Sequence, residues 1–294
     1  MIGLETLATS VDTWECDENE HMNVQFYWTK FHEAERRLRF LAGWGREGWR
    51  TRHVRHHREL HAGGGVVVRS AIVADGPHPV TVAHEMYDAG HGFLAATAFD
   101  GWSATPEAAE AMIATARARL GTEGFGAMPE AARARGIAAG PPDPVEPVPS
   151  PPRGVPTVTA EITPALLDGS GRLAAARVMG WASNAAPHVW ARIGLAQPRL
   201  DAEGLGRVAM EAKLTWTATP PGAGDLVHVV SSPRGAARTT FALRHDVVAT
   251  ETGRRLATLD VVALTMDLAT RRAIPLPADV LERMREISAT VSPH

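Results

Sequence analysis

Asp17, Asn19 and His21 stand at alternate positions just before a segment of helical patterning that begins near Asn23. A carboxylate, an amide and an imidazole this close together can attack a carbonyl carbon or draw a proton from water. A helix starting at Asn23 would add the unpaired N–H groups of its first turn and the positive end of its dipole, which polarise a carbonyl oxygen. The plainer reading of the same spacing is an acidic turn whose Asp or Asn caps the helix.

Other chemical signals are weaker. Cys16 adjoins Asp17, but strand alternation sends the two to opposite faces, so a buried small thiol is expected. His53, His56, His57 and His61 alternate with Arg52, Arg55 and Arg58. Imidazoles at 57 and 61 would suit a metal on a helix. The stretch leads into a strand instead, without clustered carboxylates, so no metal is expected; a solvated face is, with a polar strand whose arginines meet phosphates as the alternative. Gly63-Gly64-Gly65 lacks both the dinucleotide spacing and the P-loop lysine. No serine occupies a Gly-x-Ser-x-Gly elbow.

The elements that must hold these residues follow from periodicity. Leu4 to Glu15 reads as extended, Asp17 to His21 as a turn, and Asn23 to Ala42 as a helix ended by Gly43 and Gly45. Strand-like runs follow at Val66–Val73, Thr81–Tyr87 and Phe93–Phe99. Thr105 to Leu120 is an alanine-rich helical pattern, and Pro141 to Pro156 an extended linker. The order then repeats: Thr157–Ile162, a turn at Asp168–Arg172, and a helix from Ala174 to Leu195 that Pro187 should kink or break. Strands are expected at Val227–Ser231, Arg238–Val248 and Arg255–Met266, with a closing helix over Pro277–Ser288.

The repetition extends to residues. His84-Glu85 and His245-Asp246 lie 161 positions apart, as do Ala96-Thr97 and Ala257-Thr258, and Val66, Val68 and Ser70 against Val227, Val229 and Ser231. Asp17 aligns with Asp168 at an offset of 151, which puts a longer connection around Ala196 to Val208. One helix and several strands, twice over, predict an α+β fold in which each sheet wraps a helix.

Composition bounds the rest. The 294 residues are 45% hydrophobic and 21% charged, a globular composition. A net charge of −3 offers no general basic surface for nucleic acid. Lys30 and Lys213 are the only lysines, and Cys16 the only cysteine, so no disulfide framework exists. Acidic residues precede any basic one at the N-terminus and no apolar run approaches a membrane span, so a soluble, cytoplasmic protein without membrane partners is expected. Of the eight tryptophans, which include Trp14, Trp28, Trp44, Trp49 and Trp102, most are expected in the core or between the halves and one or two along an apolar pocket.

The run from Val11 through Asp17-Glu18-Asn19-Glu20-His21-Met22-Asn23, with Tyr27 following, resembles the signature of hot-dog-fold thioesterases, in particular the 4-hydroxybenzoyl-CoA and acyl-ACP branch. Arg58-Glu59-Leu60-His61-Ala62-Gly63 is similar to the segment that leads into that family's central strands. The likeness covers about residues 4–102 well and the second half more faintly. It implies a double hot-dog protein: residues 1–104 as the intact repeat, 105–153 as helix and linker, and 154–294 as a second repeat with a closing helix. It also implies thioester hydrolysis without cofactor or metal. Asp17 would be nucleophile or general base, with Asn19 and His21 positioning it, and Asn23, Tyr27 and Glu59 near the substrate. The substrate would be an acyl-CoA or an acyl thioester of acyl carrier protein, lying between the halves. A non-catalytic acyl-thioester-binding protein and an enoyl-thioester hydratase are the alternatives; the hydratase branch looks for Asp-x-Asn-Pro-x-His, which this chain lacks. In the second repeat Ser170 and Arg172 replace Asn19 and His21, so that site is expected to be degenerate, with Arg172 as either a salt-bridge partner or an anion ligand. A homodimer of such units is the expected oligomer.

Overall fold

A computed structural model describes residues 2–17, 20–45, 48–140 and 154–291, with side chains as far as 287. Asn19 and most of the Pro-rich linker lie outside these residues. The chain divides into two compact units, Met1–Pro142 and Asp143–His294.

The first unit contains β1 (Leu4–Ser10), α1 (Val24–Ala42), β2 (Thr51–His56), β3 (Gly65–Val73), β4 (Val80–Asp88), β5 (Leu94–Trp102), α2 (Pro106–Leu120) and β6 (Phe125–Gly126). Five strands form an antiparallel sheet in the order β1-β3-β4-β5-β2, and β6 lies parallel to β3. Helix α1 starts where Asn23 accepts the Gln25 N–H at 3.2 Å, and ends at Gly43 in the left-handed region (φ 73°). The positive φ is what favours glycine there. Tyr27, Trp28, Phe31, Ala34 and Leu38 recur at helical spacing and are buried. Each large apolar side chain so placed contributes about 2 kcal/mol or more.

The second unit repeats the plan with β7 (Val155–Glu161), α3 (Ala175–Ile193), α4 (Gln197–Glu203), β8 (Leu205–Trp216), β9 (Leu226–Ala236), β10 (Thr240–Ala249), β11 (Arg255–Asp267), β12 (Arg272–Ala273) and α5 (Ala278–Val291). Its sheet order, β7-β9-β10-β11-β8, is that of the first unit strand for strand. Both central helices are 19 residues long and start 151 positions apart. This is the double hot-dog, α+β architecture.

Four expectations need correction. The extended stretch from Leu4 stops at Ser10, and Thr13–Glu15 is a 3-10 turn that swings Glu15 inward to meet Lys30. Trp14 then points outward and is 76% exposed, not core. Pro187 does not break α3, because it sits on the exposed side, where solvent can reach the carbonyl that loses its donor. The Arg- and His-rich stretch is no solvated face: Thr51–His56 is β2, with Arg52 and His53 buried.

Arg52 is buried because a polar chain crosses all five strands beneath α1. Thr6 on β1 meets Ser70 on β3 (2.6 Å), Ser70 meets His84 on β4 (2.6 Å), and His84 meets Asp100 on β5 (3.3 Å). Asp100 takes two bonds from Arg52 on β2 (2.7 and 2.6 Å), and Arg52 also donates to the α1 carbonyls of Trp28 and Phe31. Ser70, His84 and Asp100 therefore have the order of a hydrolase triad, yet all three are fully buried and out of reach of any substrate. Their role is to satisfy one another. Burial works to raise the Asp100 carboxyl, but the Arg52 charge and its hydrogen bonds override that and hold it low.

The second unit keeps half of this chain. Thr157 meets Ser231 (2.9 Å), and Ser231 meets His245 (2.7 Å), but the facing pair Val261 and Ala212 stands where Asp100 and Arg52 would be. Burial pushes the His245 imidazole down to about 4, against 6.5 in the unfolded chain. The unfolded state therefore binds the extra proton first. Stability is complete above pH 6.5 and falls as pH drops to 4, by about 3 kcal/mol from this group. Thermal melts across that range are expected to fall less steeply for His245→Gln than for the parent; parallel curves would refute it.

Candidate active site

The turn between β1 and α1 is closed by its main chain. Asp17 N–H donates to the His21 carbonyl (2.9 Å), Glu20 N–H donates to the Asp17 carbonyl (3.0 Å), and Cys16 and Met22 form an antiparallel bridge. Asp17 Oδ1 accepts the His21 N–H at 3.2 Å, so one carboxylate oxygen stabilises the turn. Asn23 accepts Gln25 N–H through its side chain and Phe26 N–H through its carbonyl.

A second segment, residues 57–61, is strapped onto this turn. Met22 N–H donates to the Leu60 carbonyl (2.8 Å), His21 bridges His61, and the Tyr27 hydroxyl accepts Leu60 N–H at 3.1 Å. These bonds bring Glu59 across from His21, with Nδ1 and Oε1 3.3 Å apart and the two side chains 20% and 37% exposed. The His61 ring stands edge-on to His21, 4.9 Å between centroids. Glu59 lies in the loop after β2, not on a strand.

The electrostatics follow from this crowding. Burial, then the nearby Glu59, Cys16 and Asp17, push the Tyr27 hydroxyl well above its ordinary range, so it stays protonated, while its bond from Leu60 opposes them. Burial and then Asp17 raise the Cys16 thiol, which lies 3.8 Å from the Asp12 carbonyl; this is the opposite of what a nucleophilic thiolate requires. His56 packs edge-on to Tyr27 at 4.9 Å, and burial followed by His57 pushes its imidazole down to about 4.

The structure thus gathers Asp17, His21, Asn23, Tyr27 and Glu59 around one turn. Asn23 and Tyr27 act there through cap and strap bonds. Three participants escaped the sequence reading. His61 looked like one of several histidines. Lys30 and Glu15 form a buried ion pair (2.7 and 3.0 Å) that pins the 3-10 turn to α1. The signal for that pair was a rare lysine on a face that α1 buries. Among the described residues no cluster of three or more His, Cys, Asp or Glu could hold a metal, and no helix is long and apolar enough to cross a membrane.

Glu20 occupies the left-handed region at φ 62°, where the second unit has Gly171 at φ 77°. A side chain there costs about 1 kcal/mol. Glu20→Gly is expected to raise the urea midpoint by an amount worth up to about 1 kcal/mol; a lower midpoint would mean that contacts of the Glu20 side chain outweigh the strain.

The second unit has the same frame with different side chains. Asp168 N–H donates to the Arg172 carbonyl (2.8 Å), Gly171 N–H to the Asp168 carbonyl (2.9 Å) and Leu173 N–H to the Pro221 carbonyl (2.8 Å). Pro220 takes the place of Glu59, Gly222 that of His61 and Val178 that of Tyr27.

Two antiparallel sheets, each with a 19-residue helix entered through a closed acidic turn, define the class as a double hot-dog protein. The family model of the thioesterase-like superfamily matches residues 162–284. That match falls in the second unit, not over residues 4–102, where the motif likeness is strongest. No curated protein matches at the sequence level. Among solved structures, the 12:0-ACP thioesterase of Umbellularia californica superposes with a TM-score of 0.61 at 12% identity, covering 88% of this chain and 93% of that one. A Lactobacillus plantarum protein assigned as an oleoyl thioesterase gives 0.60 at 10% identity, covering 93% and 98%. An acyl-ACP thioesterase of Bacteroides thetaiotaomicron gives 0.55 at 10%, covering 87% and 96%.

Proposed function

We propose that this protein hydrolyses acyl thioesters, of coenzyme A or of acyl carrier protein, at the turn of its first unit. The observation that carries the reading is the His21–Glu59 pair, held 3.3 Å apart at the start of α1. With Nδ1–H directed at Glu59, the other imidazole nitrogen is a base for water. Water attacks the thioester carbon and its proton passes to His21, whose charge Glu59 stabilises. The Val24 N–H at the helix start donates to the oxyanion. The C–S bond then breaks and His21 returns the proton to the departing sulfur. A thiolate leaves readily, so one base and one polarising donor suffice.

Asp17 has two readings that one substitution separates. Asp17→Asn keeps an oxygen to accept the His21 N–H, so it preserves the turn but removes any nucleophile or base. Thiol release, followed colorimetrically over short, medium, long and aromatic acyl-CoAs and one acyl-ACP, is the test. Turnover that survives in Asp17→Asn gives that residue a positioning role; turnover that collapses makes it the base or nucleophile. A panel that is silent with wild type while acyl-CoA still binds would favour a binding protein.

A further inference from the structure

The second unit carries a half-open pocket of about 380 Å³ where Arg172 of its turn meets the 219–221 segment and the neighbouring ends of β9, β10 and β11. Such a volume suits a small organic molecule. The side-chain changes between the units explain it: Pro220 and Gly222 stand where Glu59 and the His61 ring fill space in the first unit. Arg172 enters that space. Its Nη1 lies 3.5 Å from where a Gly222 Cβ would be, an ordinary contact distance. Nη1 also makes a long 3.4 Å contact with the Pro220 carbonyl. A second guanidinium, Arg254, lines the same cavity, at the position of Phe93.

We propose that this cavity binds a small monocarboxylate with a short aliphatic body. The planar guanidinium of Arg172 matches a carboxylate two bonds at a time. Val227, Leu256 and Pro221 supply an apolar floor for the aliphatic part. Asp225 and Glu251 also line the cavity, so its two cations are balanced. With no surplus positive charge to attract a dianion, phosphate is disfavoured beside the two acids, whereas a monocarboxylate is held by the directional paired bonds of Arg172. The site stands independently of whether the first unit hydrolyses thioesters.

The test is saturation-transfer NMR and calorimetry on the full chain with hexanoate, acetate and inorganic phosphate as probes. Hexanoate is expected to bind more tightly than either of the others. Arg172→Gln is expected to weaken it about tenfold or more, the size of a lost charge-assisted bond, and Arg254→Gln to weaken it less. Both side chains are exposed, so the variants should keep the parent melting temperature. Absence of hexanoate binding, phosphate binding at least as tight as hexanoate, or hexanoate affinity unmoved by Arg172→Gln would each overturn the proposal.

Discussion

Glu59→Gln is expected to slow thioester hydrolysis by roughly 10²- to 10⁴-fold, the range that a positioned acid–base group supplies. The substitution preserves volume, and Glu59 is partly exposed, so folding should be little affected. Two losses add to the barrier. The imidazolium formed at His21 no longer faces an anion. In addition, a glutamine amide can donate to Nδ1, which moves the ring proton to the nitrogen that must accept one from water. Because the pair works as a unit, His21→Ala alone and the double variant should be slowed by similar factors, far short of the product of the single effects. The loss should fall on kcat, with KM within a few-fold of the parent. If Glu59→Gln keeps more than a tenth of the parent rate, the pair is not the base and Asp17 takes precedence.

Asp100→Asn is the substitution expected to damage stability most, by about 3–5 kcal/mol in urea unfolding. The side chain is fully buried, and it holds a fully buried arginine through two short bonds. Asparagine keeps the shape but removes the charge, leaving the Arg52 guanidinium in a low-dielectric interior opposite a neutral amide. The cost arises from that orphaned cation more than from the lost attraction. Replacing Arg52 by Met as well should recover part of it. A loss under about 1 kcal/mol for Asp100→Asn would contradict the description of the pair as buried and mutually dependent.

The parts of the fold legible in the sequence were those whose apolar residues alternate or recur at helical spacing. Strands β3, β4 and β5 and helix α1 show this, and so does the offset between the repeats. Strand β2 was not legible, because Thr-Arg-His-Val-Arg-His reads as a wet surface until Asp100 is known to lie across from Arg52. That partner is 48 residues away. Strand β8 was lost for a related reason, since its buried Glu211 and Lys213 break the apolar pattern. At the candidate site, the turn from Asp17 to Asn23 is local and its residue types announce it. The pairing of His21 with Glu59 is not local. It depends on bridges between two loops, and nothing in the spacing of residues 57–61 fixes which side chain will face the turn.

The closed turn before each central helix has the same main-chain bonds in both units, although Asp17 and Asp168 are nearly all that the side chains share. A frame held by peptide groups makes few demands on what projects from it. The same path of the chain therefore carries histidine and glutamate in one half and arginine and proline in the other. Shape is common to both halves, while chemical identity is free to differ between them.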